Sequence, residues 1–336
     1  MSSEDQDEWT VNLEKQPLIL YGHLDTVYTL LPLNEKQFAS ASFDGEIKIW
    51  DIETGKCSSS MRGHTSAVFC LVDMKCSKIA SSSDDTSIKV WSTKSGECIA
   101  TLHGHETQVR TMILLSNGSL ASAGFQGEIK IWNVKAKKVL CCMEQHNDNI
   151  NSMIQLKNNT LASCSMDQTI KIWNVTNGDC LATFYHKDFV LSVVQLDDDR
   201  LVSSSFDGKL TIWGSKLEQK QNSVDLEGRC WGYRTVIKLN DGLIASENDD
   251  NEIEIWCTIT SYCKYVLTGH HENIRCMIML RDGRLASGGD DMTIRIWNIS
   301  SGECERMILN QDEILKMQEI SNNKLICSCT QSIKVW

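Results

Sequence analysis

Ile47-Lys48-Ile49-Trp50 is a stretch of alternating β-branched and polar residues closed by a tryptophan. It returns as Ile88-Lys89-Val90-Trp91, Ile129-Lys130-Ile131-Trp132 and Ile170-Lys171-Ile172-Trp173. Further copies are Leu210-Thr211-Ile212-Trp213, Ile253-Glu254-Ile255-Trp256, Ile294-Arg295-Ile296-Trp297 and Ile333-Lys334-Val335-Trp336. Successive tryptophans stand 41, 41, 41, 40, 43, 41 and 39 residues apart. β-Branched residues suit the pleated, half-buried face of a sheet. A fixed Trp on a period near forty marks a repeat architecture, and a propeller of β-blades fits it best.

Working outward, a length of 336 residues alone suggests two or three domains, but stacked repeats share one continuous core. The formal net charge of −11 argues against a general nucleic-acid or anionic-membrane binder, because phosphate contacts need a basic surface. No run of 18 apolar residues occurs, so no membrane-spanning helix is expected. The acidic start, residues 1–8, does not read as a signal peptide. Fifteen cysteines include no Cys-x-x-Cys pair, and Cys57, Cys98, Cys180 and Cys304 each follow their Trp by seven residues. They read as small buried, reduced thiols of a cytoplasmic or nuclear protein, with no metal site and no cofactor.

Residues 1–12 read as an acidic, disordered tail and 13–336 as the repeat domain, beginning with a strand over 13–21. A second periodic mark follows: Gly22-His23, then Gly63-His64, Gly104-His105 and Gly269-His270, with weaker versions at Gln145-His146 and Tyr185-His186. Each histidine precedes its Trp by 27 residues. In the first repeat two apolar runs, 27–33 and 37–42, lie between the marks, and the turn Phe43-Asp44-Gly45 follows. Asp-Gly between β-rich runs predicts a hairpin. A second turn and one more strand come after the Trp, so each repeat holds four short strands.

These two marks at fixed spacing resemble the WD40-repeat family over nearly the whole chain. The resemblance implies a buried network in each blade. Its members here are His23, Ser40, Asp44 and Trp50; His64, Ser81, Asp85 and Trp91; and His146, Ser163, Asp167 and Trp173. The fifth repeat supplies His186, Ser203, Asp207 and Trp213, and the seventh His270, Ser287, Asp291 and Trp297. Three repeats depart. The third has Gln126 for Asp. The sixth has Arg229 for His, with Ser246 and Asp250 kept. The eighth has Asn310 for His, Cys327 for Ser and a shorter turn. Those blades are expected to be looser or put to another use. The resemblance also implies that the outer strand before each Gly-His mark belongs to the preceding blade. The N-terminal strand then closes the eighth repeat, which makes an all-β, eight-bladed propeller. Seven blades plus a stray repeat is the alternative.

No phosphate loop, nucleophile elbow or zinc-protease motif occurs, and the periodic histidines are committed to the network, so no catalytic residue is assigned. The resemblance places the side chains of one rim at three positions per repeat: three and five residues after the His, and just before the turn Asp. Here these yield Tyr28, Phe43, Phe69, Phe125, Met166, Phe189 and Phe206, with Arg110, Arg234 and Arg275 among them. Aromatic side chains with Arg make a binding hot spot, and rings folded inward to cap the channel are the plainer reading. Trp231 and Arg234, in the degenerate sixth repeat, form a second candidate contact. Lys48, Lys89, Lys130 and Lys171 are expected to snorkel at blade surfaces. The function expected is a non-catalytic scaffold, a monomeric propeller within a larger complex, binding other proteins or peptides on its rim. It is expected to bind neither nucleic acid nor membrane. One alternative is a substrate receptor for acidic or phosphorylated peptides in a ubiquitin-ligase or signalling complex. Another is a propeller enzyme with acidic channel residues such as Asp84 and Asp290.

Overall fold

The computed structural model describes residues 16–214, 224–227, 235–320 and 324–336. It contains eight four-stranded antiparallel sheets and, among the described residues, no helix. The first blade runs Val27–Pro32, Gln37–Ser42, Ile47–Asp51 and Cys57–Met61 from the axis outward. Six more blades repeat that order. The eighth takes Lys316–Ile320, Lys324–Ser328 and Ser332–Val335 from one end of the sequence and Leu18–Tyr21 from the other. Neighbouring innermost strands touch all the way round, and Val27–Pro32 meets Lys316–Ile320, so the ring is closed with eight blades and not seven.

Closure rests on Leu18↔Val335, Ile19↔Lys334, Leu20↔Ile333 and Tyr21↔Ser332. The strand starts at Leu18; residues 13–15 of the expected strand lie outside the described residues, as does the whole 1–12 tail. Pairing the two ends in one sheet removes two open edges that would otherwise invite pairing with other chains. Leu20 is buried there with Ile333, Ile326 and Val335 against Phe38 and Trp50 of the first blade.

The core lies in the seams between blades. Each described tryptophan from Trp91 to Trp297 packs against the blade before it, for example Trp91 with Ile47, Ile49 and Met61. The glycine of the Gly-His mark makes room for this indole. A Cβ on Gly63 would sit 3.2 Å from Trp91 Cη2, and one on Gly104 3.1 Å from Trp132 Cη2.

Three of the four strand lysines correct the expectation of surface snorkelling, while Lys89 is half-buried. Lys48, Lys130 and Lys171 are buried. Each stands opposite the network serine of its blade, Ser40↔Lys48, Ser122↔Lys130 and Ser163↔Lys171, and reaches toward the outer strand. There the ammoniums bond Ser60 Oγ at 3.1 Å and Thr183 Oγ1 at 3.2 Å, and in the third blade Cys142 Sγ at 3.2 Å. A buried ammonium keeps its charge only where such partners replace water.

The cysteines also differ from expectation. All those described are free, but Cys57, Cys76, Cys98, Cys142 and Cys304 are exposed. Cys57, Cys98 and Cys304, seven after their Trp, and Cys142 lie on outermost strands, and Cys76 lies in a turn between strands, which explains this. The thiols of Cys57, Cys98, Cys180 and Cys304 donate to the carbonyl two residues on, and Cys263 does the same.

Candidate functional site

Two devices build the rim. The first is a β-bulge. In the innermost strands the register slips between Val27 and Thr29, Val68 and Cys70, Val109 and Thr111, Ile150 and Ser152, Val190 and Ser192, and Ile274 and Cys276. The residues left unpaired are Tyr28, Phe69, Arg110, Asn151, Leu191 and Arg275, the positions five after each His. A bulge re-aims its extra side chain, and here it does so at one end of six of the eight inner strands, the sixth and eighth blades pairing without one among the described residues. The second device is a backbone bond. Phe43 N donates to Thr26 O, Met166 N to Asn149 O, Phe206 N to Phe189 O and Asp290 N to Asn273 O, at 2.8–3.0 Å. It ties the residue before the turn Asp to the residue three after the His.

The His-Ser-Asp-Trp network holds these turns in place. In the first blade Trp50 Nε1 donates to Ser40 Oγ at 2.7 Å, Ser40 Oγ meets His23 Nε2 at 2.7 Å, and His23 Nδ1 meets Asp44 Oδ2 at 2.9 Å. A carboxylate only accepts, so the proton sits on Nδ1 and the serine hydroxyl donates to Nε2. Asp44 also accepts from the backbone N–H groups of Leu24 and Glu46, which pins both rim turns to one side chain. Burial raises the Asp44 carboxyl, but these backbone bonds and His23 outweigh it and hold the group below the usual range. Burial pushes the His23 imidazole down from its ordinary value. The same bonds recur at Ser81, His64, Asp85 and Trp91; at Ser163, His146, Asp167 and Trp173; and at Ser287, His270, Asp291 and Trp297. In the fifth blade Trp213 and His186 both bond Ser203, each at 2.7 Å, and Asp207 Oδ1 accepts from Lys209 N.

The three departing blades resolve differently. The third is not left open by Gln126: His105 Nδ1 bonds Glu128 Oε1 instead, while Lys130 Nζ donates to Glu128 Oε2 at 2.6 Å. Glutamate is one methylene longer and reaches the imidazole from two residues further along. In the sixth, Trp256 Nε1 donates to Glu254 Oε2 at 3.1 Å rather than to Ser246, although Ser246 is retained. Glu254 stands where other blades carry the lysine, Ser246↔Glu254, and so brings an acceptor within reach of the indole. In the eighth, Asn310 Nδ2 donates to Cys329 Sγ at 3.3 Å and Lys334 Nζ to Asn310 Oδ1 at 2.6 Å. Hydrogen bonds from Cys327 and Asn310 hold the Cys329 thiol below its ordinary range, against the effect of burial.

The rim residues gather into two groups. Tyr28, Phe43 and Phe69 form a triangle of edge-to-face rings with centroids 5.6, 5.6 and 5.8 Å apart. The Arg110 guanidinium lies over Phe69 at 4.6 Å and over Phe125 at 5.4 Å. This patch spans blades one to three. Tyr28, Phe43 and Phe125 are 37%, 43% and 40% exposed, but Phe69 is only 6% exposed and forms the floor. Phe69 therefore corrects the expectation that all rim rings are displayed. The second group, in blades four and five, pairs Phe189 with Phe206 at 6.0 Å and sets Asn149 Nδ2 3.6 Å from Met166 Sδ. Met166 and Phe206 are half-buried.

The two described rim arginines, Arg110 and Arg275, differ in their partners. Arg275 Nε donates to Asp290 Oδ1 at 2.7 Å, and Asn273 also bonds that carboxylate. Trp231 and Arg234 lie outside the described residues. Asp84 takes the pre-turn place in the second blade, accepting from Ser66 Oγ at 2.9 Å. Among the described residues no group of three or more His, Cys, Asp or Glu is placed to hold a metal ion. On the opposite face a cavity of about 490 Å³ opens between blades seven and eight, lined by Leu280, Arg284, Ile308, Val335 and Trp336 among others; no rim residue lines it.

The family model for the WD domain, G-beta repeat, matches residues 14–51, 55–92, 96–133, 137–174, 178–214 and 261–298, and the chain belongs to the WD40 family. The unmatched repeats are the sixth and the eighth, the two whose tryptophan bonds no serine among the described contacts. Among solved structures it is similar to the computationally designed Ika8 protein, with a TM-score of 0.83 and 25% identity over 96% of this chain and 99% of that one. It is also similar to the WD40 β-propeller domain of Doa1, with a TM-score of 0.64 and 19% identity over 94% of each chain. No curated protein sequence matches the chain. The WD40 propeller is generally a protein-interaction scaffold.

Proposed function

We propose that this chain is a non-catalytic platform that binds a segment of another protein on the rim of blades one to three. The observation that carries this reading is the patch of Tyr28 and Phe43 packed on the buried Phe69 and joined to Phe125 through Arg110. Large half-exposed rings fixed on a rigid floor give contact area at little cost in ordering, which is what a recognition surface needs. Bulges and network aspartates hold the backbone beneath the rings. The plainer reading, rings capping the channel, suits Phe69 and not the other three. A phosphopeptide receptor built on three arginines finds less support, because Asp290 already neutralises Arg275.

The test compares affinity capture from cell extract by the native protein and by Phe43→Ala/Phe125→Ala/Phe206→Ala, after matching their circular dichroism. Partners lost by the variant alone support the rim. Partners kept by both move the working surface elsewhere on the ring.

A further inference from the structure

Within the aromatic patch one cation stands apart from the other charges of the rim. A bulge lifts Arg110 out of its strand between Val109 and Thr111. The guanidinium lies over Phe69 at 4.6 Å and over Phe125 at 5.4 Å, and its Nη2 donates to Gln108 Oε1 at 3.2 Å. Arg110 is exposed, and among the described residues no carboxylate oxygen lies within 4.0 Å of it. Arg275, at the same position four blades on, is ion-paired. The described contacts hold Arg110 by cation–π attraction and one hydrogen bond, and not by an ion pair.

Stacking occupies the faces of a guanidinium and leaves its in-plane N–H groups turned outward. Those donors match the two oxygens of a carboxylate, and rings on either side thin the water around the pair and strengthen it. Tyr28, Phe43 and Phe125 beside it need apolar cover.

We infer that this patch reads a short partner segment carrying an Asp or Glu next to a large apolar side chain. The carboxylate pairs with Arg110, and the apolar side chain lies against Phe43 and Phe125. This rests on the rim reading above and names its ligand. A carboxylate fits better than a phosphate. One guanidinium balances one charge, the other described rim arginine is committed to Asp290, and Asp84 of the second blade adds an anion to the same rim.

The test is selection of displayed random peptides of about twelve residues on the native protein, with affinities then measured by fluorescence anisotropy. The expected peptides carry Asp or Glu within a few positions of a Leu, Phe or Trp. Their affinity falls about tenfold or more on Arg110→Glu, falls less on Arg110→Lys, and is lost on Phe43→Ala/Phe125→Ala. Replacing the peptide's acid by Lys restores binding to Arg110→Glu. Peptides that bind all variants equally overturn the rim reading itself. Loss on the phenylalanine pair with none on Arg110→Glu overturns the carboxylate inference alone. A phosphoserine peptide that outbinds its Asp counterpart overturns it in favour of phosphate, and failure to enrich any peptide overturns recognition of a linear segment.

Discussion

The imidazole of His105 is hydrogen-bonded to Glu128, two residues beyond the place where other blades present aspartate. The same carboxylate takes the buried ammonium of Lys130. One side chain thus neutralises a buried cation and fixes a buried imidazole, and the exposed Gln126 in the aspartate position bonds neither in the described contacts.

The stability of the third blade therefore follows Glu128. Glu128→Ala leaves the Lys130 ammonium unpaired at a buried position and is expected to cost about 2–3 kcal/mol, somewhat below the usual figure for breaking a buried pair because the carboxylate is partly exposed. Gln126→Ala is expected to stay within about 0.5 kcal/mol. Chemical denaturation of the two variants decides the point, and equal losses would contradict it.

Ring closure depends on Leu20, which is 3% exposed and paired with Ile333. Leu20→Ala is expected to lower stability by about 2–4 kcal/mol through the cavity it leaves. It is also expected to raise concentration-dependent aggregation, because loosening this strand exposes the edge of Ser332–Val335. Thermal unfolding with light scattering reads both effects.

The rim rings divide into floor and surface. Phe69→Ala, at a buried position, is expected to cost about 3 kcal/mol or more. Phe43→Ala and Phe125→Ala are expected to cost under about 1 kcal/mol each while abolishing partner binding. Denaturation midpoints beside binding affinities separate the two roles, and Phe69 is the wrong residue on which to test recognition.

Acid is expected to destabilise the protein in two stages. Burial lowers His23, His105 and His270 below the ordinary value of 6.5. Below that value the unfolded chain binds protons that the folded one refuses, so stability present at neutral pH falls as pH drops through and beneath 6.5. The carboxyls of Asp44, Asp85, Asp167 and Asp291 are held low by their hydrogen bonds despite burial. Their contribution is present above the ordinary carboxylate range and is lost as pH falls through it toward the folded values. Melting temperatures are expected to hold level from pH 8 to about pH 7, to decline below that as the unfolded chain takes up protons on these histidines, and to fall further toward pH 3; a rise between pH 7 and pH 5 would contradict the histidine assignment.

The fold was legible in the sequence because the propeller repeats a local pattern. A strand ending in Trp, a Gly-His mark and an Asp turn each encode a nearby geometry, and eight copies make the period plain. The aromatic rim was expected from the family resemblance, which maps fixed positions in a repeat to fixed places on a ring. Register and neighbours across blades were not. Whether Phe69 is floor or surface depends on Tyr28 and Phe43 from another blade and on Arg110 from a third.

By itself, then, the sequence determined the four strands per repeat and the order of the repeats, because these follow from periodic spacing; the return of the N-terminal strand to the last blade was implied by the family resemblance and decided by its pairing with Ser332–Val335. Only the tertiary structure decided which carboxylate completes the third network, that Lys48, Lys130 and Lys171 are buried, and that Arg275 is neutralised while Arg110 has no carboxylate within 4.0 Å among the described residues. Those outcomes depend on distances of a few ångströms between residues far apart in the chain, where one added methylene or a neighbouring blade changes the partner.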